Sequence, residues 1–129
     1  MLNDTLSNAL SLILNNAKIG KSECVVKPVS KLIRETLKVM KEGMYIGDTE
    51  DVQDGRGGML KVHLLNSINK CGAIKPRYSI KKGEFEKFEK RYLPAKGMGI
   101  LIVSTSRGVT NHIDAKNKGV GGRLLAYCY

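Results

Sequence analysis

Hydrophobic positions along the chain change period several times, and each change marks an element. Leu6, Ala9, Leu10, Ile13 and Ala17 repeat at helical spacing, with Leu2 and Leu14 bordering the stripe. Asn3 or Asp4 can cap this helix, which the pattern carries to about Asn16. Ser22 to Lys27 alternates weakly around Val25 and Val26, a short strand ended by Pro28, which has no N–H for a ladder. Ser30 is a natural cap for a second helix, Lys31 to Glu42, with Ile33, Leu37 and Met40 inward and Gly43 as its stop. Tyr45 to Gln53 then reads as a strand, DGRGG at Asp54 to Gly58 as a turn, and Met59 to Leu65 as a second strand. In the latter, Leu60, Val62 and Leu64 alternate with Lys61 and His63. The pattern predicts an antiparallel hairpin with one face on the two helices.

In the second half the elements are shorter. Asn69 to Arg77 contains a short strand leading into a rigid basic corner, Lys75-Pro76-Arg77-Tyr78. Phe85, Phe88 and Tyr92 share one face of a helix stopped by Pro94. Ile100 to Val103 is a continuous apolar run, the composition of a strand buried on both faces. It breaks off at three consecutive hydroxyls, Ser104, Thr105 and Ser106, followed by Arg107 and Gly108. A last helix starts at Asn111, with Asp114 completing a capping-box-like pair and His112 exposed in its first turn. Gly119, Gly121 and Gly122 turn the chain into a final strand, Arg123 to Tyr129. The fold class expected is α+β, in two small lobes. Residues 1–66 form an N-terminal α-β-α-β-β lobe, and residues 67–129 a mainly β lobe with short helices.

Charge narrows the partners. Lys and Arg number 22 against 12 Asp and Glu, a net charge of +10 on 129 residues. Such a domain favours polyanions, nucleic acid before anionic membrane. With no Trp and aromatics at 5%, a base-stacking platform is not the expected binding mode. No stretch approaches the roughly 20 apolar residues that span a bilayer, and the N-terminus lacks the early cations of a signal peptide. A cytoplasmic protein without membrane contact is expected. Cys24, Cys71 and Cys128 are odd in number and, with His63 and His112, show no ligand spacing. Free thiols are expected, with no metal and no cofactor.

The hydroxyl stretch is the principal candidate surface. A rigid strand beneath it would hold short donors and acceptors at the mouth of a sheet, while Arg107 adds a cation suited to phosphate and Gly108 a tight backbone path. Lys27, Lys31 and Arg34 gather at the start of the second helix, where the macrodipole is already positive. That placement suggests an external anion. Three readings compete. A nucleophilic serine would need His112 and Asp114 as partners, but no G-x-S-x-G is present. A nucleotide-cradling loop would need a P-loop or G-x-G-x-x-G, and GVGG at Gly119 to Gly122 precedes a strand. Recognition of RNA by shape accounts for the charge, the few aromatics and the hydroxyls together. No enzymatic activity or small-molecule substrate is expected.

GILIVSTSRGV followed by NHIDAKNKGVGGRLLAYCY resembles the C-terminal hallmark of the universal small-subunit ribosomal protein eight family. That hallmark is a strand, Ser-Thr-Ser, a glycine, a short helix ending in Ala-Lys, and Gly-x-Gly-Gly before the last strand. KPVSKLIRETLKVMKEGMYIG resembles the family's Pro-x-Ser-Lys-Leu helix leading into Gly-Tyr-Ile, with Gly-Met-Tyr-Ile here at Gly43 to Ile46. The likeness covers nearly the whole chain. It implies a primary RNA-binding protein of the small ribosomal subunit that binds and organises the central domain of its RNA during assembly, beside neighbouring ribosomal proteins. A basic double-stranded nucleic-acid binder outside the ribosome is the alternative. Some members also bind their own messenger RNA. By this resemblance Ser104, Thr105 and Ser106 contact the RNA, and Pro28, Ser30 and Lys31 add contacts from the first lobe. Charge and position add Arg34, Lys75, Arg77, Arg107, Gly108 and Arg123. Arg123 stands where bacterial relatives carry a glutamate; with the EFEKFEKRYLP helix, this resembles the archaeal or eukaryotic-cytosolic branch.

Overall fold

The computed structural model describes residues 5–26, 31–52, 59–65, 67–75, 77–81, 83–95 and 98–129. Lys27, Pro28, Ser30, Arg56 with its turn, and Pro76 lie outside the described residues. The fold is α+β: the described residues form four helices and two antiparallel sheets, in two compact units, Met1–Lys70 and Cys71–Tyr129.

In the first unit, α1 (Thr5–Lys18) and α2 (Lys31–Glu42) pack on each other, α1 against β1 (Glu23–Val26) and α2 against β2 (Ile46–Val52). The sheet order is β1-β3-β2, with β3 (Met59–Leu64) in the centre. The period of two in β3 explains the arrangement. Leu60, Val62 and Leu64 are buried with Leu6, Leu10 and Ile13 of α1 and Ile33, Leu37 and Met40 of α2. Lys61 and His63, on the opposite face, pair with Glu23 at 3.2 Å and Glu50 at 3.3 Å respectively.

The end of α2 departs from the expected glycine stop. Met44, not Gly43, carries the left-handed conformation, with φ at 63°. Here the Met44 N–H reaches the Lys41 carbonyl and the Tyr45 N–H the Met40 carbonyl, closing the helix. A side chain in that region costs about 1 kcal/mol, and Met44, 71% exposed, has little packing to offset it. Met44→Gly should therefore raise stability by about 0.5–1 kcal/mol, read as a higher urea midpoint at unchanged slope.

In the second unit the sheet order is β4-β8-β6-β7, and β5 pairs with β8 as well. Here β4 is Cys71–Ala73, β5 Ser79–Ile80, β6 Ile100–Thr105, β7 Gly108–Asn111 and β8 Gly122–Cys128. Helix α3 (Phe85–Tyr92) contributes Phe85 and Phe88, and α4 (His112–Lys118) contributes Ala115, to a core shared with Ile74, Ile80, Leu101, Val103 and Leu124. All four residues from Ile100 to Val103 are buried, as a strand covered on both faces requires. The expected alternation in the last strand is interrupted. Ile102 faces Ala126 while Val103 faces Leu124, so Leu125 is an extra residue in β8. This bulge leaves Leu124, Leu125 and Ala126 all buried, and the Leu125 carbonyl accepts the Ile74 N–H.

Candidate nucleic-acid interface

The hydroxyl stretch is the end of a strand and a tight hairpin, whose return strand β7 the sequence pattern does not mark. Ser104 and Thr105 are the last residues of β6, Ser106 and Arg107 form the tip, and β7 returns with Thr105 facing Gly108. Gly108 has φ of 111°, a conformation that side chains rarely adopt. Thr105 builds the turn: its Oγ1 donates to the Gly108 carbonyl at 2.8 Å and accepts the Arg107 N–H at 3.1 Å. The hydroxyls of Ser104 and Ser106 have no partner among the described residues. Two serines are thus available and the threonine holds them.

Register supplies the cation. Ser79 on β5 faces Arg123 on β8, Arg123 faces Ser104 on β6, and Ser104 faces Val109 on β7. Residues directly opposite in a ladder share a face, so Ser79, Arg123, Ser104 and Val109 form one row across four strands. Arg123 is exposed and has no carboxylate partner among the described residues. Five N–H donors thus stand beside an open hydroxyl, a combination suited to phosphate and ribose oxygens. Arg107 at the hairpin tip and Lys75 and Arg77 between β4 and β5 are exposed as well.

In the first unit, Lys31 is the exposed first residue of α2. Arg34, one turn on, forms an ion pair with Asp51 of β2. Its charge is partly taken up within the fold, a pairing between distant residues that sequence spacing could not show.

His112 is not exposed as expected; it is buried, at 4%. The Leu101 N–H donates to its Nδ1 at 3.0 Å, and its Nε2 donates to Glu89 Oε1 of α3 at 2.8 Å. Lys116 Nζ reaches the same carboxylate oxygen at 2.5 Å. The reason lies in topology. Where β7 turns away into α4, the Leu101 N–H loses a strand partner, and the first side chain of α4 replaces it. Burial pushes the imidazole pKa down, opposed by the Glu89 carboxylate and assisted by the Lys116 charge. With both ring nitrogens engaged inside the fold, His112 is not placed to take a proton from a serine. The Asp114 carboxylate accepts from Thr110 Oγ1 at 3.4 Å and makes no contact with the His112 ring, while its backbone N–H is capped by Asn111 Oδ1 at 2.8 Å. His112 is therefore a positioning group at the base of the hairpin. The one sequence signal for it was a histidine four residues before Lys116, on the same helix face.

Cys24, Cys71 and Cys128 are buried and form no disulfide among the described residues. Burial pushes the Cys71 thiol up to about 11, and Cys128, facing Cys71 across the ladder, is raised further. Among the described residues no cluster of His, Cys, Asp or Glu is arranged to hold a metal ion. No helix among them is long and apolar enough to cross a membrane.

The row on β5, β8, β6 and β7 is thus a rigid, cationic, hydroxyl-bearing face without a nucleophile–base pair. The sequence profile of the ribosomal protein S8 family matches residues 4–129, almost the entire chain including every element of both units. The chain therefore belongs to the ribosomal protein S8 family, RNA-binding constituents of the small ribosomal subunit.

Proposed function

We propose that this protein binds an irregular helix in the central domain of small-subunit ribosomal RNA and organises that region during assembly, with no catalytic role. The observation that carries the reading is the row of Arg123 and Ser104 beside the hairpin tip. There, open hydroxyls and a guanidinium without a carboxylate partner among the described residues stand at the braced ends of central strands. Sugar and phosphate contacts of this kind read the shape of an RNA helix, not its sequence. Lys31, with Pro28 and Ser30 before it, supplies contacts from the first unit. Neighbouring ribosomal proteins complete the surroundings, and the cytoplasmic location is that of the ribosome.

Binding to a central-domain RNA fragment and to a scrambled duplex, measured across a salt series, tests the reading. With about five phosphates neutralised, the log–log salt slope should be roughly −3 to −5. Wild-type protein should prefer the cognate fragment, and the Ser104→Ala/Ser106→Ala double variant should lose about tenfold of that preference at an unchanged melting temperature. Thr105 is left intact because its hydroxyl builds the turn. Equal binding to both RNAs, untouched by the double variant, would overturn the proposal.

A further inference from the structure

A second cationic feature stands on α3, a helix that the sequence pattern marks only as a packing element. The Arg91 guanidinium carbon lies 5.3 Å from the Tyr78 ring centroid and 5.4 Å from that of Tyr92. Both distances are within cation–π range. The two rings are themselves held. Tyr78 leans on the buried Phe88 at 5.4 Å between centroids, and Tyr92 stacks on Tyr127 at 5.7 Å, which stacks on Tyr129 at 6.2 Å. Arg91 is exposed and has no carboxylate partner among the described residues. The contrast with Arg34, paired to Asp51, and Lys116, paired to Glu89, is informative. A carboxylate takes up the cation's charge and its N–H donors together. Aromatic faces restrict the side chain while leaving both the charge and the donor fork available to an outside acceptor.

We propose that Arg91, held by Tyr78 and Tyr92, is a phosphodiester-binding site that contacts the RNA backbone apart from the Ser104 hairpin. The site rests on the RNA-binding reading above and adds to it a contact that specifies no sequence. Helix position alone would account for a basic residue here, since Lys90 and Arg91 lie in the last turn of α3, where the macrodipole favours cations. That account does not explain why two anchored rings flank the guanidinium. The exposed carboxylates of the helix, Glu84 and Glu86, are at its start. Glu84 Oε1 accepts the Lys81 N–H at 3.3 Å.

The test uses the full-length protein with Arg91→Ala and Arg91→Lys, on both the central-domain fragment and the scrambled duplex, across the salt series. A backbone contact predicts that Arg91→Ala weakens both RNAs alike, by about five- to tenfold, and makes the salt slope shallower by about one. Arg91→Lys, which keeps the charge, should retain the slope. Preference for the cognate RNA should not change in either variant, whereas the Ser104→Ala/Ser106→Ala variant alters that preference. A loss of preference in wild type would therefore count against the hairpin reading and leave the Arg91 comparison decisive on the duplex. Wild-type affinity and slope in Arg91→Ala would overturn the site. So would equal losses in Ala and Lys variants at an unchanged slope, the signature of stacking on an unpaired base.

Discussion

Gly122→Ala is expected to destabilise the second unit by about 3 kcal/mol, the upper range for overpacking a core, and to weaken RNA binding with it. A β-carbon built at Gly122 would stand 2.2 Å from the Ser104 carbonyl oxygen and 2.9 Å from Val103 Cγ1. The first contact is with backbone, so no side-chain rotation relieves it, and β6 must shift away from β8. Ser104 is the residue that Arg123 faces, so the shift would open the row on which the proposed interface depends. Gly121 has the same constraint on the other side, 2.3 Å from the Ile80 carbonyl oxygen. The two glycines let β8 pass closely between β5 and β6. Urea denaturation measures the cost. Gly83→Ala serves as the control, since nothing lies within 4 Å of a β-carbon there, and it should change the midpoint little. Wild-type stability in Gly122→Ala would show that the sheet yields without cost and would remove this explanation of the glycine pair.

His112→Ala should cost a comparable amount, about 3 kcal/mol, through a cavity and a buried N–H without an acceptor. Glu89, with its side chain 11% exposed, would keep Lys116 alone as its charged partner. The same histidine predicts a pH dependence. Its folded pKa lies below the ordinary value near 6.5, because burial penalises the charged ring and the Lys116 charge adds to this, against the opposing pull of Glu89. At pH 7.5 the ring is neutral in both states, and the brace is at full strength. As pH falls below about 6.5 the unfolded chain takes up a proton that the folded chain resists, so stability declines until the folded pKa is reached. His112→Asn keeps an acceptor near the position of Nδ1 and cannot titrate. The difference in urea midpoint between wild type and His112→Asn should therefore shrink from pH 7.5 to pH 5.5. A constant difference would show that the ring does not change charge in that window. RNA affinity measured in parallel links the brace to the hairpin.

Much of this protein was legible along the chain because its elements are short and their signals local. The helical stripe from Leu6 to Ala17, the alternation of Leu60, Val62 and Leu64, the apolar run from Ile100 and the Asn111 cap each depend on neighbours within a turn or a strand. Those signals determined the α+β class, and the hallmark motifs determined the family. The hydroxyls at Ser104 to Ser106 were visible for the same reason. Spatial pairing was not. Whether Arg123 stands beside Ser104, whether Arg34 is opposed by Asp51 and whether Arg91 lies between Tyr78 and Tyr92 depend on strand register and packing. These bring together residues that no spacing rule connects. The bulge at Leu125 and the left-handed Met44 likewise reflect what neighbouring strands and a closing helix demand of residues with no intrinsic preference for them. His112 is the clearest case. Its place in the first turn of a capped helix could be read from the sequence, but its burial follows from the departure of β7, which leaves the Leu101 N–H in need of an acceptor. Local composition determined which elements form and which groups could touch RNA; only the tertiary structure decided which of those groups are free to do so, because hydrogen bonds and charges are satisfied in space and not along the chain.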